Sequence, residues 1–395
     1  EIRRTSDGSH SPLDLIFGRD PARQITLSAD MIVPRDVTDD FGVPARPSTT
    51  LLTYELTLGY DRISDRLLVA REHLTHAKLG DYRSFTTFPS SREFQGSVAV
   101  GSRRGGPLIS TEGDRIMLHG DGGSRGRPAP VGTSPLTVVG GTNTADYPTV
   151  LAAKREMSSW RLLHLEPSAM RTPDARSARP HVTAAGGHLA ATLRALTRSR
   201  PDVGVEVVNR LRTLNSDVEE LDAYADDARD QLALRARVRG VDSWLFGRSL
   251  SDGTLRYIAL ALMLVDVNDR GVLCIEEPEN GMHPSRVPDL VPLLYVYAVA
   301  LDEPVAEDNP LRQVILNTHS PEVARQIPFR DILFAERAVR SDGTSRSVFL
   351  PVEGTWRIEA GDAPAKDERA VVDFIGGSPP REGLRQLALQ FGTAS

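Results

Sequence analysis

Gly271–Glu279 reads GVLCIEEPE and Gln313–Pro321 reads QVILNTHSP. Each begins with a short apolar run, Val272–Ile275 and Val314–Leu316, of the length and bounding expected for a buried parallel strand. Each then turns polar where open α/β sheets place their ligands, at the strand's C-terminal end. Glu276 and Glu277 leave the first strand as adjacent carboxylates. One can hold a magnesium ion's water shell while the other orients and deprotonates an attacking water. Asn317, Thr318 and His319 leave the second, and a neutral histidine there can bond a phosphate oxygen or that water. Taken singly, the carboxylates read as surface ion pairs and the histidine as structural.

A third piece lies upstream. Leu250–Arg256, LSDGTLR, precedes the apolar helix Tyr257–Asp266. Ser251 or Asp252 can cap that helix, and Gly253 lets a backbone approach closely. A capped helix start offers free N–H groups and a positive dipole end to an anion such as a terminal phosphate. Alone, the heptapeptide is more simply an ordinary helix cap.

The rest of the chain bounds the reading. Its 395 residues point to two domains or one large elaborated one, and 40% hydrophobic content excludes wholesale disorder. The single cysteine, Cys274, excludes a disulfide framework and a Cys-based zinc site. The longest apolar runs, Tyr257–Val265 and Leu293–Leu301, are about half of a bilayer span, and without a charged-then-apolar opening no secretory signal is expected. The expectation is a soluble, cytoplasmic protein without a membrane partner. A net charge of −6 argues against bulk coating of nucleic acid.

Gln24 to about Leu118 reads as short strands in an antiparallel sheet. Thr49–Tyr60 alternates through Leu52, Tyr54, Leu56 and Leu58, and Asp65–Leu74, Ser97–Gly101 and Asp114–His119 read similarly. Gly101–Gly106 and Gly120–Pro148 read as exposed loops. Val150–Trp160, Gly187–Arg198 and Val203–Leu214 read as helices, Leu162–Leu165 as a brief strand, and Met170–Pro180 as a basic loop. Glu219–Asp226 and Gln231–Arg239 read as a strand pair. The resulting division is a strand-rich part at 1–149, a helical and hairpin lobe at 150–248, a core holding the three pieces at 249–345 and an appendage at 346–395.

Together and in order, the three pieces resemble the ATP-binding-cassette (ABC) ATPase superfamily, in particular its non-transporter AAA-type branch related to chromosome-maintenance and break-repair heads. LSDGTLR resembles the signature motif, VLCIEEPE the Walker B strand with its adjoining glutamate, NGMHP (280–284) the D-loop, and ILNTHSP the switch-histidine loop. ADMIVPRD and Thr49–Tyr60 look like that branch's insertion. The resemblance implies an α/β ABC-ATPase head with a mixed central sheet, an antiparallel strand-rich N-terminal part and a helical signature lobe. It implies ATP and Mg2+ as cofactors, with Glu276 on the metal side, Glu277 as catalytic base and His319 sensing the γ-phosphate. Ser251, Asp252 and Gly253 would meet nucleotide held by a second subunit, so a homodimer or higher oligomer follows. A nuclease effector protein and DNA are further candidate partners, and DNA repair or anti-phage defence the candidate settings.

The sequence departs from that pattern in three places. The phosphate-cradling GxxxxGK[ST] loop is missing: Lys78, Lys154 and Lys366 are the chain's lysines, and none follows glycine. The expectation is that this loop lies upstream of Glu1; the rival is a non-hydrolysing scaffold that binds a nuclease or nucleic acid. Glu276 stands where aspartate is usual, and no glutamine loop is assigned.

Other features read as structural. Glu72, His73 and His76 form EHLTH on a strand, not the helical HExxH of zinc peptidases. Arg103, Arg104, Arg171, Arg176 and Arg179 read as solvated loop arginines, and Trp160 and Trp244 as core anchors. After His319, 76 residues remain, without the acidic pattern of a Toprim nuclease.

Overall fold

The computed structural model describes residues 11–77, 89–99, 106–123, 126–131, 134–213, 217–280, 282, 287–341, 343–359 and 364–376. These divide into two compact units, one within 1–86, 90–159 and 302–304, the other within 87–89, 160–301 and 305–395. Lys78, Arg103, Arg104 and most of NGMHP lie outside the described residues.

The first unit is built on strands β1 (Gln24–Ile32), β2 (Val37–Thr38), β3 (Pro44–Ala45), β4 (Leu51–Asp61), β5 (Arg66–His76), β6 (Ile109–Glu112), β7 (Arg115–Leu118) and β8 (Arg127–Pro130). Six of them form an antiparallel sheet in the order β1-β4-β5-β6-β7-β8. Helices α1 (Arg92–Val98), α2 (Val138–Gly141) and α3 (Pro148–Ser159) complete the unit. The alternation in β4 holds: Leu52, Tyr54 and Leu58 are buried. The described part of the expected strand Ser97–Gly101, residues 97–99, is not strand: Ser97 and Val98 end α1 and Ala99 caps it, and the rest lies outside the described residues. Ser91 caps α1 by accepting from Phe94 N–H at 2.9 Å, and Phe94 and Val98, four residues apart, are both buried. The expected loop 120–148 holds β8 and α2 as well.

An irregularity in the β4–β5 register between Thr57 and Leu58 shifts the phase of β5. Val69 is buried before it, and Glu72 and Leu74 after it. The Glu72 carboxylate, wholly buried, accepts from Tyr54 Oη at 3.1 Å and from the main-chain N–H groups of Val138 and Val139 at 2.6 and 2.9 Å. It therefore anchors the start of α2. His73 Nε2 accepts from Thr111 N–H at 3.3 Å. In EHLTH, Glu72 and His73 are thus engaged by hydrogen bonds to Tyr54, Val138, Val139 and Thr111.

Burial pushes the Glu72 carboxyl up, against the Val139, Val138 and Tyr54 hydrogen bonds that pull it down. A folded carboxyl that keeps its proton to higher pH than the unfolded one adds stability below the unfolded value. That stability is lost as pH rises through the raised folded value. In urea unfolding across this window, the first unit of the parent is expected to gain stability on acidification relative to Glu72→Gln.

The second unit contains β9 (Arg161–Leu163), β10 (Asp174–Ala175), β11 (Val218–Asp226), β12 (Gln231–Val238), β13 (Leu245–Phe246), β14 (Gly271–Glu276), β15 (Arg312–Asn317), β16 (Leu333–Val339) and β17 (Ser345–Pro351). Its helices are α4 (Pro167–Arg171), α5 (Leu189–Ser199), α6 (Val203–Thr213), α7 (Asp252–Val265), α8 (Val287–Tyr297), α9 (Pro321–Ala324), α10 (Trp356–Glu359) and α11 (Glu368–Phe374). A parallel sheet runs β15-β14-β9, and an antiparallel one runs β10-β12-β11 with β13 added to β12. The architecture is mixed α/β.

Helix α7 is the centre of the core. Leu255 and every residue from Tyr257 to Val265 are buried, the mark of a helix enclosed on all sides. Leu193, Val207, Leu234, Ile275 and Leu294 belong to the same apolar cluster. Leu273 and Ile275 turn β14 toward it, whereas Val272 and Cys274 are half-buried and Ile315 is 52% exposed. The parallel strands are thus covered on one face more than the other, not buried throughout as their apolar runs suggested.

Candidate functional site

The site lies at the C-terminal ends of β14 and β15, placed side by side by a register that pairs Glu276 with Asn317. Glu276 ends β14 with its side chain exposed. Glu277 follows in the left-handed region, φ +40°, a conformation that non-glycine residues rarely hold without function or compensation. The compensation is visible: Glu277 N–H donates to the main-chain oxygen of Asn317 at 3.1 Å and to its Oδ1 at 3.0 Å. Glu277 Oε1 stands 4.0 Å from His319 Nε2, and the His319 side chain is 92% exposed. Glu277 and His319, separated by more than forty residues in sequence, are therefore brought together, with Glu276 next to them.

Two further residues tie the strand ends together. Thr318 Oγ1 donates to Glu279 Oε1 at 2.5 Å and accepts from Ser320 N–H at 2.9 Å. Ser320 Oγ accepts from Val323 N–H at 3.4 Å and caps α9. The sequence reading gave no role to Glu279 or to the side chain of Asn317; the acid repeat in EEPE is the available signal for the first.

The start of α7 is the other half of the proposed constellation. Ser251 is its N-cap, its Oγ accepting from Thr254 N–H at 3.1 Å. The Asp252 carboxylate is ion-paired with Arg171, whose Nη2 also donates to Leu250 O at 2.9 Å. Arg171 is thus a clamp on this turn and not a solvated loop arginine. Arg176 likewise pairs with Asp227 and Asp230, while Arg179 is exposed. A Cβ placed on Gly253 would meet, among the described residues, no atom within 4 Å beyond the helix's own adjoining backbone. Among the described residues no hydrogen bond or ion pair joins Ser251–Gly253 to Glu276, Glu277 or His319. Arg171→Ala is expected to change global stability by less than about 1 kcal/mol, since the pair is half-exposed. Amide exchange at Ser251–Thr254 is expected to quicken in that variant.

For magnesium, the described residues offer no three-carboxylate cage. Magnesium bound with phosphates takes one or two carboxylates and keeps several waters, and exposed Glu276 fits that single-carboxylate role. The described lysines are committed elsewhere. Lys154 Nζ donates to Thr142 O at 3.1 Å and to Asn143, and Lys366 pairs with Glu336 against the Phe334 ring. Trp244 is not a core anchor: its half-buried ring carries the guanidinium groups of Arg235 and Arg237 at 4.6 and 5.3 Å. Among the described residues no helix is long and apolar enough to cross a membrane.

Residues 145–325 match the family model described as "AAA domain, putative AbiEii toxin, Type IV TA system". That span includes β9, α7, β14 and β15, and so every candidate site residue. No curated protein matches the sequence. Among solved structures, the chain is similar to the Smc head domain with a coiled coil and joint from Pyrococcus yayanosii, at 14% identity and a TM-score of 0.28, covering 42% of this chain and 30% of that one. It is also similar to the SMC head domain from Thermotoga maritima, at 11% identity and a TM-score of 0.29, covering 80% of this chain and 78% of that one. The chain thus spans less than a third of the Pyrococcus yayanosii chain, and likenesses at these TM-scores fix no residue correspondence. Over residues 145–325, less than half of the 395-residue chain, the sequence is therefore similar to an AAA domain.

Proposed function

We propose that this domain hydrolyses ATP in a composite site formed by two copies arranged head to tail. The observation that carries the reading is the convergence of Glu276, Glu277 and His319 on two adjacent parallel strand ends. Glu277, turned out by its left-handed backbone, accepts a proton from the water that attacks the γ-phosphate in line. His319, 4.0 Å away, donates to the γ-phosphate or to that water. Glu276 would hold magnesium, which would supply charge neutralisation at the phosphates.

Gly253 supports the second copy's contribution. Glycine in a helix is about 1 kcal/mol less favourable than alanine, yet among the described residues nothing beyond the helix's own adjoining backbone comes within 4 Å of where a Cβ would stand. Room is left there for a group from outside, and Ser251 is exposed beside it. Asp252, held by Arg171, shapes the turn between them. The phosphate-cradling amides and lysine of a GxxxxGK[ST] loop come from outside these 395 residues. Opening and closing of the dimer is the mechanical output, with DNA repair or anti-phage defence as the setting and a nuclease or DNA as partner.

A second reading, a non-hydrolysing scaffold for a nuclease or nucleic acid, is favoured by one observation, the missing phosphate loop. Phosphate release from Mg-ATP by the intact protein separates the two. A composite site gives a rate per protomer that rises with protein concentration; a scaffold gives no release at any concentration.

A further inference from the structure

Glu279 takes no part in the chemistry above, yet it makes the side-chain link between the two loops that carry it. Its Oε1 accepts from Thr318 Oγ1, which in turn accepts from Ser320 N–H, so the residues on both sides of His319 are held through one carboxylate. Met282 N–H donates to Glu279 O at 3.0 Å and Asn280 N–H to Glu277 O at 2.9 Å, which fixes the turn from which Glu279 reaches. Glu279 Oε2 is buried and has no hydrogen-bond partner among the described residues. A buried oxygen left without a donor is destabilising, and a neutral acceptor would hold Thr318 equally well.

We propose that Glu279 is a positioning residue: acting through Thr318, it sets where His319 stands relative to Glu277. This rests on the hydrolytic reading. The 4.0 Å between Glu277 and His319 is too long for a hydrogen bond, and among the described residues no hydrogen bond fixes the exposed His319 ring. Its placement comes from the backbone on either side, and that backbone is tied down by the Glu279–Thr318–Ser320 relay. Loss of the relay leaves ATP binding intact and misplaces the imidazole when the γ-phosphate is attacked, so kcat falls and KM does not.

The test is steady-state phosphate release by the intact protein and by Glu279→Ala, Glu279→Gln, Thr318→Val and the Glu279→Ala/Thr318→Val pair. The expected result is a fall in kcat of about tenfold or more in Glu279→Ala and Thr318→Val, with KM within about twofold. The double variant is expected to be no slower than either single one, because both remove one interaction. Glu279→Gln keeps an acceptor oxygen and should retain at least about half of kcat. Parental kcat in Glu279→Ala and Thr318→Val, or a Glu279→Gln as slow as Glu279→Ala, overturns the proposal. If Glu279→Ala does not fold, the nearly isosteric Thr318→Val carries the comparison. Amide exchange at Thr318–Ser320 reads the link without turnover: it should quicken in Glu279→Ala, and unchanged exchange overturns the link. A parent that releases no phosphate sinks the hydrolytic reading, and exchange still decides the link.

Discussion

Glu277→Gln is expected to slow ATP turnover by about 100-fold or more, the scale of a lost general base, while ATP binding persists. An amide of nearly the same shape cannot take a proton from water. The backbone that aims it is untouched, because Glu277 N–H, not its carboxylate, bonds Asn317. Bound ATP is then not consumed, and the ATP-bound dimer accumulates. Size-exclusion chromatography with light scattering on the intact protein should show a dimer with ATP for Glu277→Gln and a shorter-lived one for the parent. A variant that remains monomeric with ATP removes the two-copy site from the account.

The second large effect is on stability. Arg312, at the start of β15, is 4% exposed. Its Nε donates to Asp269 O and its Nη2 to Asp266 O, each at 2.6 Å, and its Nη1 donates to Leu264 O at 3.3 Å. These carbonyls belong to the last turn of α7 and the segment just after it, where a cation suits both the unpaired carbonyls and the helix dipole. The guanidinium also lies 4.7 Å from the Tyr297 ring centroid. Burial pulls the Arg312 pKa down, with Tyr297, Asp269 and Asp266 opposing, and arginine stays charged. Arg312→Met is expected to destabilise the second unit by about 2–4 kcal/mol, because three main-chain carbonyls lose a charged donor. Guanidinium chloride unfolding followed by far-UV circular dichroism should show this as an earlier transition. A loss below about 1 kcal/mol would mean that α7 is held by its apolar packing alone.

Arg312 also shows where the sequence stops being legible. The alternation of Thr49–Tyr60, the apolar runs before Glu276 and Asn317, and the cap at Ser251 are local patterns, and each is where the sequence reading put it. What was hidden depends on partners far along the chain. Arg171 reaches Leu250 across 79 residues and Thr318 reaches Glu279 across 39. Neither pairing leaves a periodic trace. Residues 97–99 differ from the expected strand because the apolar alternation there is short, and the cap that makes Arg92–Val98 a helix lies upstream at Ser91. In β5, the register irregularity inverts the phase that period-two reading assumes, so a glutamate from an apparent metal cluster ends up buried as a helix anchor. At the candidate site the residue types were readable, but the left-handed turn at Glu277 was not, because only the bonds to Asn317 make it tolerable.

The most direct measurement is phosphate release from Mg-ATP by the intact protein, compared with Glu276→Gln, Glu277→Gln and His319→Ala under identical conditions. A hydrolytic centre at the ends of β14 and β15 gives measurable release in the parent and a fall of about tenfold or more in each variant. Release that continues at the parental rate in all three would place the chemistry elsewhere and contradict the site.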